Sequence, residues 1–491
     1  STTLHLSKEL PFFNPILSKT YDDPLEYLQL QKQRSKDAPQ SAGVHNRRNK
    51  LRNMLRRLSP MNKKIWQGHC DIVIVGGGAV GSAIAYHLKK NGTDGINVVV
   101  VEKDPSYENS SSVLSVGGIK QQFSLPENIL LSMYGMQFMR DIPRLLVVDD
   151  ELPSTVNFQP HGSLTLATER GLQQLKENLY VQQHFKAQVK YMEPSALKAQ
   201  FPWLNVDDIA GGVLGLENEG WFDPWKLVLG LRQKAISLGV HYVEAEMVGV
   251  EYKETYTDTY SDGHPVSSDI KLNNIVVRMP EGEERTITAA AVVLATGHST
   301  GQICYDMMGI GKAEEGIMAY PVPIEPRKRY VYCFHAPKGP GLAAPHVLDP
   351  SGAHFRREGL GNMFLGSMSP HEDQEPSCDN LEVDHEYFRQ HLWPVLANRV
   401  PAFQDITVQG SWATLHEHNV FDENGIIGAH PLIGNLLLAA GFSGHGIQHS
   451  LGVGRAVMEL LLRSEYKTID LSRFHLERIQ LNEPVYESVI L

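Results

Sequence analysis

Residues 70–103, CDIVIVGGGAVGSAIAYHLKKNGTDGINVVVVEK, decide the fold of this chain. Asp71-Ile72-Val73-Ile74-Val75 is an apolar, β-branched run of strand type, and Gly76-Gly77-Gly78-Ala79-Val80-Gly81 follows without a gap. Ala79, Ala83, Ile84, Ala85 and Leu88 then recur at helical spacing, and a second run from Val98 to Val101 ends on Glu102. The pattern predicts a strand–helix–strand unit opened by GxGxxG. Gly76 permits the tight turn, Gly78 lets backbone approach a pyrophosphate, and Gly81 lets the helix pack closely on the strand. The helix N-terminus then faces the phosphates with unpaired N–H groups and the positive end of its dipole. Glu102 stands where a carboxylate accepts hydrogen bonds from a ribose 2′-OH, and its charge opposes a 2′-phosphate. The unit indicates a dinucleotide and by itself leaves FAD and NAD open.

The bulk numbers bound the rest. With 491 residues, 42% hydrophobic, the chain has the composition of an ordinary globular protein of two or three domains. Cys70, Cys304, Cys333 and Cys378 are too dispersed for a disulfide framework or a cysteine metal site, so a reducing compartment and no metal are expected. No uninterrupted apolar stretch reaches the ~18 residues of a spanning helix. Residues 1–70 carry 13 Lys/Arg against 5 Asp/Glu, whereas the remainder carries 32 against 51. A basic leader thus precedes an acidic body, whose field repels phosphate and excludes general nucleic-acid binding. Leu51, Met54, Leu55 and Leu58 share one helical face opposite Arg52, Arg56 and Arg57. Four readings of that element stay open: a mitochondrial targeting remnant, an interfacial helix, a docking arm or a solvated linker.

The pattern along the chain predicts a discontinuous organisation. We expect a basic extension over 1–69 and cofactor-binding parts over 70–154, 211–310 and 406–491. Substrate-domain parts are expected over 155–210 and 311–405. Strands with a hairpin arm are expected over 155–168, an exposed helix over 171–188, and a helix capped by Asp223 with Pro224 in its first turn. Residues 251–270 read as a variable loop and Ala289–Ala295 as a buried parallel strand closed by Thr296-Gly297. Arg356-Arg357-Glu358-Gly359 reads as a turn. Gly434–Gln448, GNLLLAAGFSGHGIQ, reads as a strand, a glycine loop and the start of a helix that makes a second close approach to cofactor.

Four pieces, VGGGAVGSAIAYHLKK with Glu102, SSSVLSVGGI, AAAVVLATG and PLIGNLLLAAGFSGHGIQHS, resemble the FAD-dependent oxidoreductases of the D-amino-acid-oxidase and sarcosine-oxidase type. The resemblance covers nearly all of residues 70–480. It implies a Rossmann-like FAD-binding domain of α/β type, discontinuous, with an α+β substrate domain on a mixed or antiparallel sheet. It prefers FAD, bound non-covalently because neither His nor Cys stands in SSSVLSVGG.

The cofactor contacts it implies are Gly76, Gly78, Ala79, Val80, Gly81, Glu102, Lys103, Ser111, Gly118, Met247, Thr296 and Gly297, then Gly441, Ser443, Gly444, His445, Gly446, Ile447 and Gln448. The implied chemistry is transfer of a hydride from an amine-bearing carbon to flavin N5. Candidates for holding the substrate or relaying a proton are Arg356, Arg357, His416 and Gln448, with Lys120 near the mouth. Sarcosine-oxidase-like members carry Lys where this chain has Gln448, and their GxRP-like segment is replaced by Ala413-Thr414-Leu415-His416. A mitochondrial branch of the family, associated with assembly of respiratory complex I, matches most fully. It implies complex I subunits or assembly intermediates as partners and a matrix-side place peripheral to the inner membrane.

Overall fold

Strand β1 (His69–Val75) grows from the apolar run, and its residues 72–75 are buried, as a run without alternation requires in a sheet covered on both faces. The computed structural model describes residues 68–92, 95–148, 155–259 and 265–488, without the side chains of 254–269. The basic helix expected at 51–64 lies outside the described residues. Helix α1 (Ala79–Asn91) and strand β2 (Val98–Glu102) complete the predicted unit, with Val100 of β2 beside Ile74 in a parallel pair.

The chain then weaves between two large sheets. Short helix α2 (Ser111–Leu114), strand β3 (Gly118–Ile119) and helix α3 (Pro126–Arg140) lead out of the first. β4 (Ser163–Ala167), helix α4 (Leu172–His184), β5 (Val189–Met192), α5 (Pro194–Gln200) and β6 (Gly211–Gly215) build part of the second. β7 (Gly220–Trp221) pairs with β3, and helix α6 (Pro224–Ser237) and strand β8 (His241–Glu244) return to the first sheet. Asp223 caps α6 by accepting a hydrogen bond from the Lys226 N–H at 3.2 Å, and Pro224 fills the first turn, as predicted. A long pair, β9 (Glu246–Thr259) and β10 (Pro265–Arg278), runs into β11 (Glu284–Leu294), followed by α7 (Thr300–Asp306).

The second sheet is then completed by β12 (Ile324–His335), β13 (His346–Leu348), β14 (His354–Glu358), β15 (Met363–Ser367) and, after helix α8 (Trp393–Arg399), β16 (Thr407–Asn419). β17 (Ile426–Ala429), β18 (Leu436–Ala440) and helix α9 (Gly446–Arg463) close the first.

The first sheet has the order β17-β18-β11-β1-β2-β8, with β10 and β9 added beyond β11. β18, β11, β1, β2 and β8 are parallel, so their carboxyl ends meet along one edge. The second, ordered β16-β12-β15-β14-β13-β4-β6-β5, is antiparallel except where β13 meets β4. This is the expected architecture of an α/β cofactor domain with a mixed-sheet partner.

Several local expectations are corrected. β6 pairs with β4 and β5, and β16 pairs with β12 from Ile324–Asn419 to His335–Thr407, so both belong to the second sheet. The sheet divisions fall after residues 215 and 419 rather than at 210 and 405. Gly211-Gly212, expected at the start of a cofactor-binding part, is held extended in the second sheet by pairing with β4 and β5. Of 155–168 only Ser163–Ala167 is a strand, and it pairs with β6 and β13 rather than in a local hairpin. Helix α4 is not wholly exposed, since Leu175, Asn178 and Gln182 are buried. The loop expected over 251–270 is mostly the β9–β10 ribbon, whose extension past the sheet needs no buried face and so leaves no apolar alternation to read. Arg356-Arg357-Glu358 lies in β14, paired with Met363–Leu365, and the turn begins only at Gly359.

The tightest joint is at Gly81, where a Cβ would occupy the position of the Gly76 carbonyl oxygen. We expect Gly81→Ala to lower the urea unfolding free energy by about 3 kcal/mol or more, with Asp223→Ala costing about 1 kcal/mol.

Candidate active site

The carboxyl edge of the first sheet gathers the glycine motifs. Gly76 takes φ +98° and donates its N–H to Val101 at 2.8 Å, and a Cβ there would collide with the Ala295 carbonyl of β11. The Gly77 carbonyl accepts from Tyr107 Oη and Ser82 Oγ, each at 2.8 Å, and the Gly77 N–H donates to Glu102 Oε2 at 2.8 Å. Glu102 Oε1 accepts from the Asp104 N–H at 2.9 Å. Burial pushes the Glu102 carboxyl up, while these two N–H groups oppose the shift. Glu102 therefore braces the turn, and each of its carboxylate oxygens keeps a second lone pair for a further donor.

A Cβ at Gly78 would meet only Ser112 Oγ, at 3.2 Å, so this face of the turn is otherwise open. Ser112 Oγ also accepts the Ala79 N–H at 3.1 Å, and the first turn of α1, which includes Val80 and Gly81, carries no acidic residue. An open glycine face at an uncapped, acid-free helix N-terminus fits a pyrophosphate.

The other expected contacts divide. Thr296 Oγ1 shares a hydrogen bond with Thr300 Oγ1 at 2.8 Å, and Gly297 takes φ +58° beside it. Lys103 pairs weakly with Glu246 at 3.9 Å, bordering an open depression at the ends of β2 and β8. Met247 is buried in the sheet core opposite Val277. Ser111 donates its hydroxyl to the Leu415 carbonyl at 2.6 Å and so ties α2 to β16, whereas Ser112 is the serine that meets the helix N-terminus.

The late glycine loop closes the same edge. Gly441 and Gly444 have φ of +85° and +94°, and Ser443, at +46°, is held there from two sides. Its N–H donates to the Glu417 carbonyl at 2.9 Å and its Oγ accepts the Asn419 N–H at 3.0 Å. Glu417 Oε2 accepts the Gly441 N–H at 2.9 Å, and a Cβ on Gly446 would sit 2.7 Å from Glu417 Oε1. Ile447 is buried in the core. Gln448 Oε1 accepts the Lys120 N–H at 3.0 Å, and its Nε2 lies 3.1 Å from His445 Nδ1.

Between this loop and the second sheet lies a cluster of ionisable groups. Lys120 Nζ stands 5.2 Å over the Phe123 ring and donates no hydrogen bond among the described residues. Burial lowers its pKa, and Glu487 and Glu219 oppose the shift. His346 Nε2 lies 3.2 Å from His354 Nδ1, and the His445 ring stands edge-on to Phe123 at 5.1 Å. Burial, with Lys120 adding repulsion, holds His346 and His445 well below the usual histidine range, His354 at about 4 and His449 at about 3. Burial and Arg329 hold His416 at about 4. These imidazoles are neutral at pH 7. Burial raises the Glu219 carboxyl to about 7, although it accepts from the Gln121 N–H and Gln122 Nε2, each at 2.8 Å.

The two arginines part company because successive strand residues face opposite ways. Arg356 reaches Val116 O at 2.8 Å, Glu358 Oε2 at 2.5 Å and its neighbour's carbonyl, and stacks 5.5 Å from the Trp221 ring. Arg357 reaches Pro340 O and Asn362 and lies over Phe364, away from the cluster. The solvated turn expected for the pair is thus a buried strand. Glu219, Glu417, His346 and His354 carried no motif in the sequence, and His449 lay in the quoted PLIGNLLLAAGFSGHGIQHS piece without being singled out. The one signal was the alternation of His416-Glu417-His418, polar at consecutive positions immediately before the Asp422 loop.

A doubly closed glycine edge facing a second sheet across a cluster of ionisable groups marks a dinucleotide-dependent oxidoreductase. Residues 71–460 match the profile of the DAO family, FAD dependent oxidoreductase, and the chain belongs to that family. FAD is its cofactor. It is 45% identical to FAD-dependent oxidoreductase domain-containing protein 1 of Bos taurus over 86% of this chain and 87% of that one. It is 24% identical to the dimethylglycine dehydrogenase, mitochondrial, of Rattus norvegicus, over 83% of this chain and 44% of that protein. Among solved structures, the L-proline dehydrogenase from P. horikoshii shares the fold with a TM-score of 0.69 and 21% identity, over 86% of this chain and 100% of that one.

Gly78 separates cofactor contact from folding. Gly78→Val is expected to raise the FAD dissociation constant at least about tenfold, about 1.4 kcal/mol. The unfolding midpoint of its apoprotein should stay close to that of wild type.

Proposed function

We propose that this protein oxidises a small secondary amine or amino acid that carries a carboxylate, with hydride passing to flavin N5. The observation that carries this reading is Lys120, a partly buried ammonium whose Nζ has no hydrogen-bond acceptor among the described residues. Glu487 and Glu219 offset part of the cost of its burial, and a substrate carboxylate adds a direct hydrogen-bonded partner. Gln448 fixes the Lys120 backbone and His445 together, so the neutral amide that replaces the expected lysine has a positioning role. The cation of this cleft thus comes from position 120 and not from position 448.

FAD, held by the Gly76–Gly81 turn, Glu102, Ser112, Gly297 and the Gly441–Gly446 loop, supplies the hydride acceptor. The protein's own groups prepare the amine. Lys120 and Arg356 favour the uncharged form of an amine bound near them, which is the form able to release a hydride. The neutral His346, His354, His416 and His445 offer ring nitrogens as acceptors for its N–H. Arg356 is already committed to Val116 and Glu358, so its part is the field and the stacked wall against Trp221. The name of the rat relative, dimethylglycine dehydrogenase, describes an N-methylated substrate that bears a carboxylate, in keeping with the carboxylate of this reading, although its amine is tertiary.

The resemblance of the sequence carries a second reading, a mitochondrial flavoprotein on the matrix side that serves assembly of respiratory complex I through its subunits or intermediates. The Lys120 cluster favours turnover, and the two readings are compatible.

Anaerobic stopped-flow absorbance against N-methyl amino acids, amino acids and matched amines lacking the carboxylate tests the proposal. Bleaching by carboxylate-bearing compounds is expected, with Lys120→Met weakening their binding at least about tenfold. No bleaching by any of them rejects the amine reading, and an equal response to the matched amines rejects the carboxylate requirement and the role given to Lys120. If FAD-loaded Lys120→Met still restores complex I in cells lacking the protein, assembly does not require this turnover.

A further inference from the structure

Glu417 is a partly buried carboxyl that no cofactor motif predicts. It lies in β16 of the second sheet, yet its side chain reaches into the first domain's glycine loop. Oε2 accepts the Gly441 N–H at 2.9 Å, and the Phe442 N–H also reaches the carboxyl. Gly446, the first residue of α9, has no room for a Cβ because Glu417 Oε1 would be 2.7 Å away. A Cβ on Gly297, in the opposite turn, would lie 3.8 Å from Oε2. The carboxyl therefore stands between the two glycine turns that flank the cofactor edge, at the N-terminus of α9. That helix has neither a side-chain cap nor an acidic residue in its first turn, so Glu417 is the anion facing its dipole.

The same helix end favours negative charge on a reduced flavin, which leaves one positive dipole serving two anions. We propose that Glu417 takes up a proton when the flavin is reduced, so that the charge of the site stays constant through the redox cycle. The balance is simple. A hydride, two electrons and one proton, leaves the amine carbon and makes the ring system one unit more negative, and one proton from water converts the Glu417 carboxylate to the acid. Reoxidation returns both. An acid with a neutral hydrogen-bonding form tolerates this exchange, since a protonated carboxyl keeps one oxygen as acceptor for Gly441 while the other becomes a donor.

The surroundings leave Glu417 as the group that changes charge in this place. His416 and His418 flank it on β16, and β12 places Pro326 opposite it with Glu325 and Arg327 on either side. His298 lies on the Gly297 turn and His445 on the glycine loop. Burial holds all four imidazoles below their usual range, so they are neutral where Glu417, raised by burial to about 7, titrates.

The inference rests on flavin lying along this edge and not on which amine is oxidised. Its test therefore supplies electrons from an electrode through mediators, so that a failed substrate screen and a failed proton coupling are distinguishable. In the purified holoprotein, the midpoint potential is expected to fall more steeply with pH above pH 7 than below. The added slope is about 30 mV per pH unit, the value for one extra proton per two electrons. Glu417→Gln should lose the added slope and, at pH 8, have a more positive potential. One slope throughout in wild type, or a steeper limb that persists in Glu417→Gln, overturns the proposal. Should that variant fail to retain FAD, the unmodified holoprotein decides. Its reduced-minus-oxidised infrared spectrum at pH 8 must gain the carbonyl band of a protonated carboxyl and keep it in Glu219→Gln, whose carboxyl is also raised to about 7; no gain, or loss of the band in Glu219→Gln, overturns the assignment.

Discussion

The structure depends on the parallel packing of β1 between β2 and β11. Parallel neighbours require crossover connections, and those crossovers deliver every returning strand in the same direction. The carboxyl ends of β1, β2, β11 and β18 consequently fall on one edge, which is where a chain of this class binds its ligand. Contact at that edge is so close that Gly76 and Gly81 admit no side chain, one facing the Ala295 carbonyl and the other the Gly76 carbonyl. Any loosening there would displace the α1 N-terminus from the edge it serves.

The second sheet is more than a lid on this arrangement. β16 reaches back across the division with Glu417 and Asn419 to fix the Gly441–Ser443 backbone, and Leu415 receives the Ser111 hydroxyl from the other side. The cofactor edge and the substrate cleft are thus held by the same strand. β3 and its partner β7 do the corresponding work at the far side, placing Lys120 next to the Glu219 carboxyl and the Gln448 amide. The result is a cleft in which buried cations, neutral imidazoles and carboxyls with raised pKa face one another. Low dielectric surroundings make each charge depend on its neighbours, which suits a reaction that moves two electrons and a proton.

The strand–helix–strand unit, the Asp223 cap with Pro224 and the GFSGHG loop were legible because each is a local signal, written within about 30 consecutive residues. The reading failed where pairing partners are distant. Gly211–Gly215 reads as the start of a cofactor part until β4 and β5 flank it, and Arg356-Arg357 looks like a turn because the glycines at 359 and 361 follow so soon. Ser111 and Ser112 are indistinguishable by type, and only the position of α2 decides which hydroxyl meets α1.

The sequence by itself determined the dinucleotide fold, because glycine spacing and an apolar strand run are constraints on local backbone and need no knowledge of the rest, and its resemblance to a known family pointed to FAD. It also supplied Lys120 as a candidate near the mouth. Only the tertiary structure decided which charges meet. Lys120, Glu219, His354, Glu417 and His445 come from five separate segments, and their protonation is set by burial and by one another. Those are long-range electrostatic quantities, and they exist only once the two sheets have closed on the same edge.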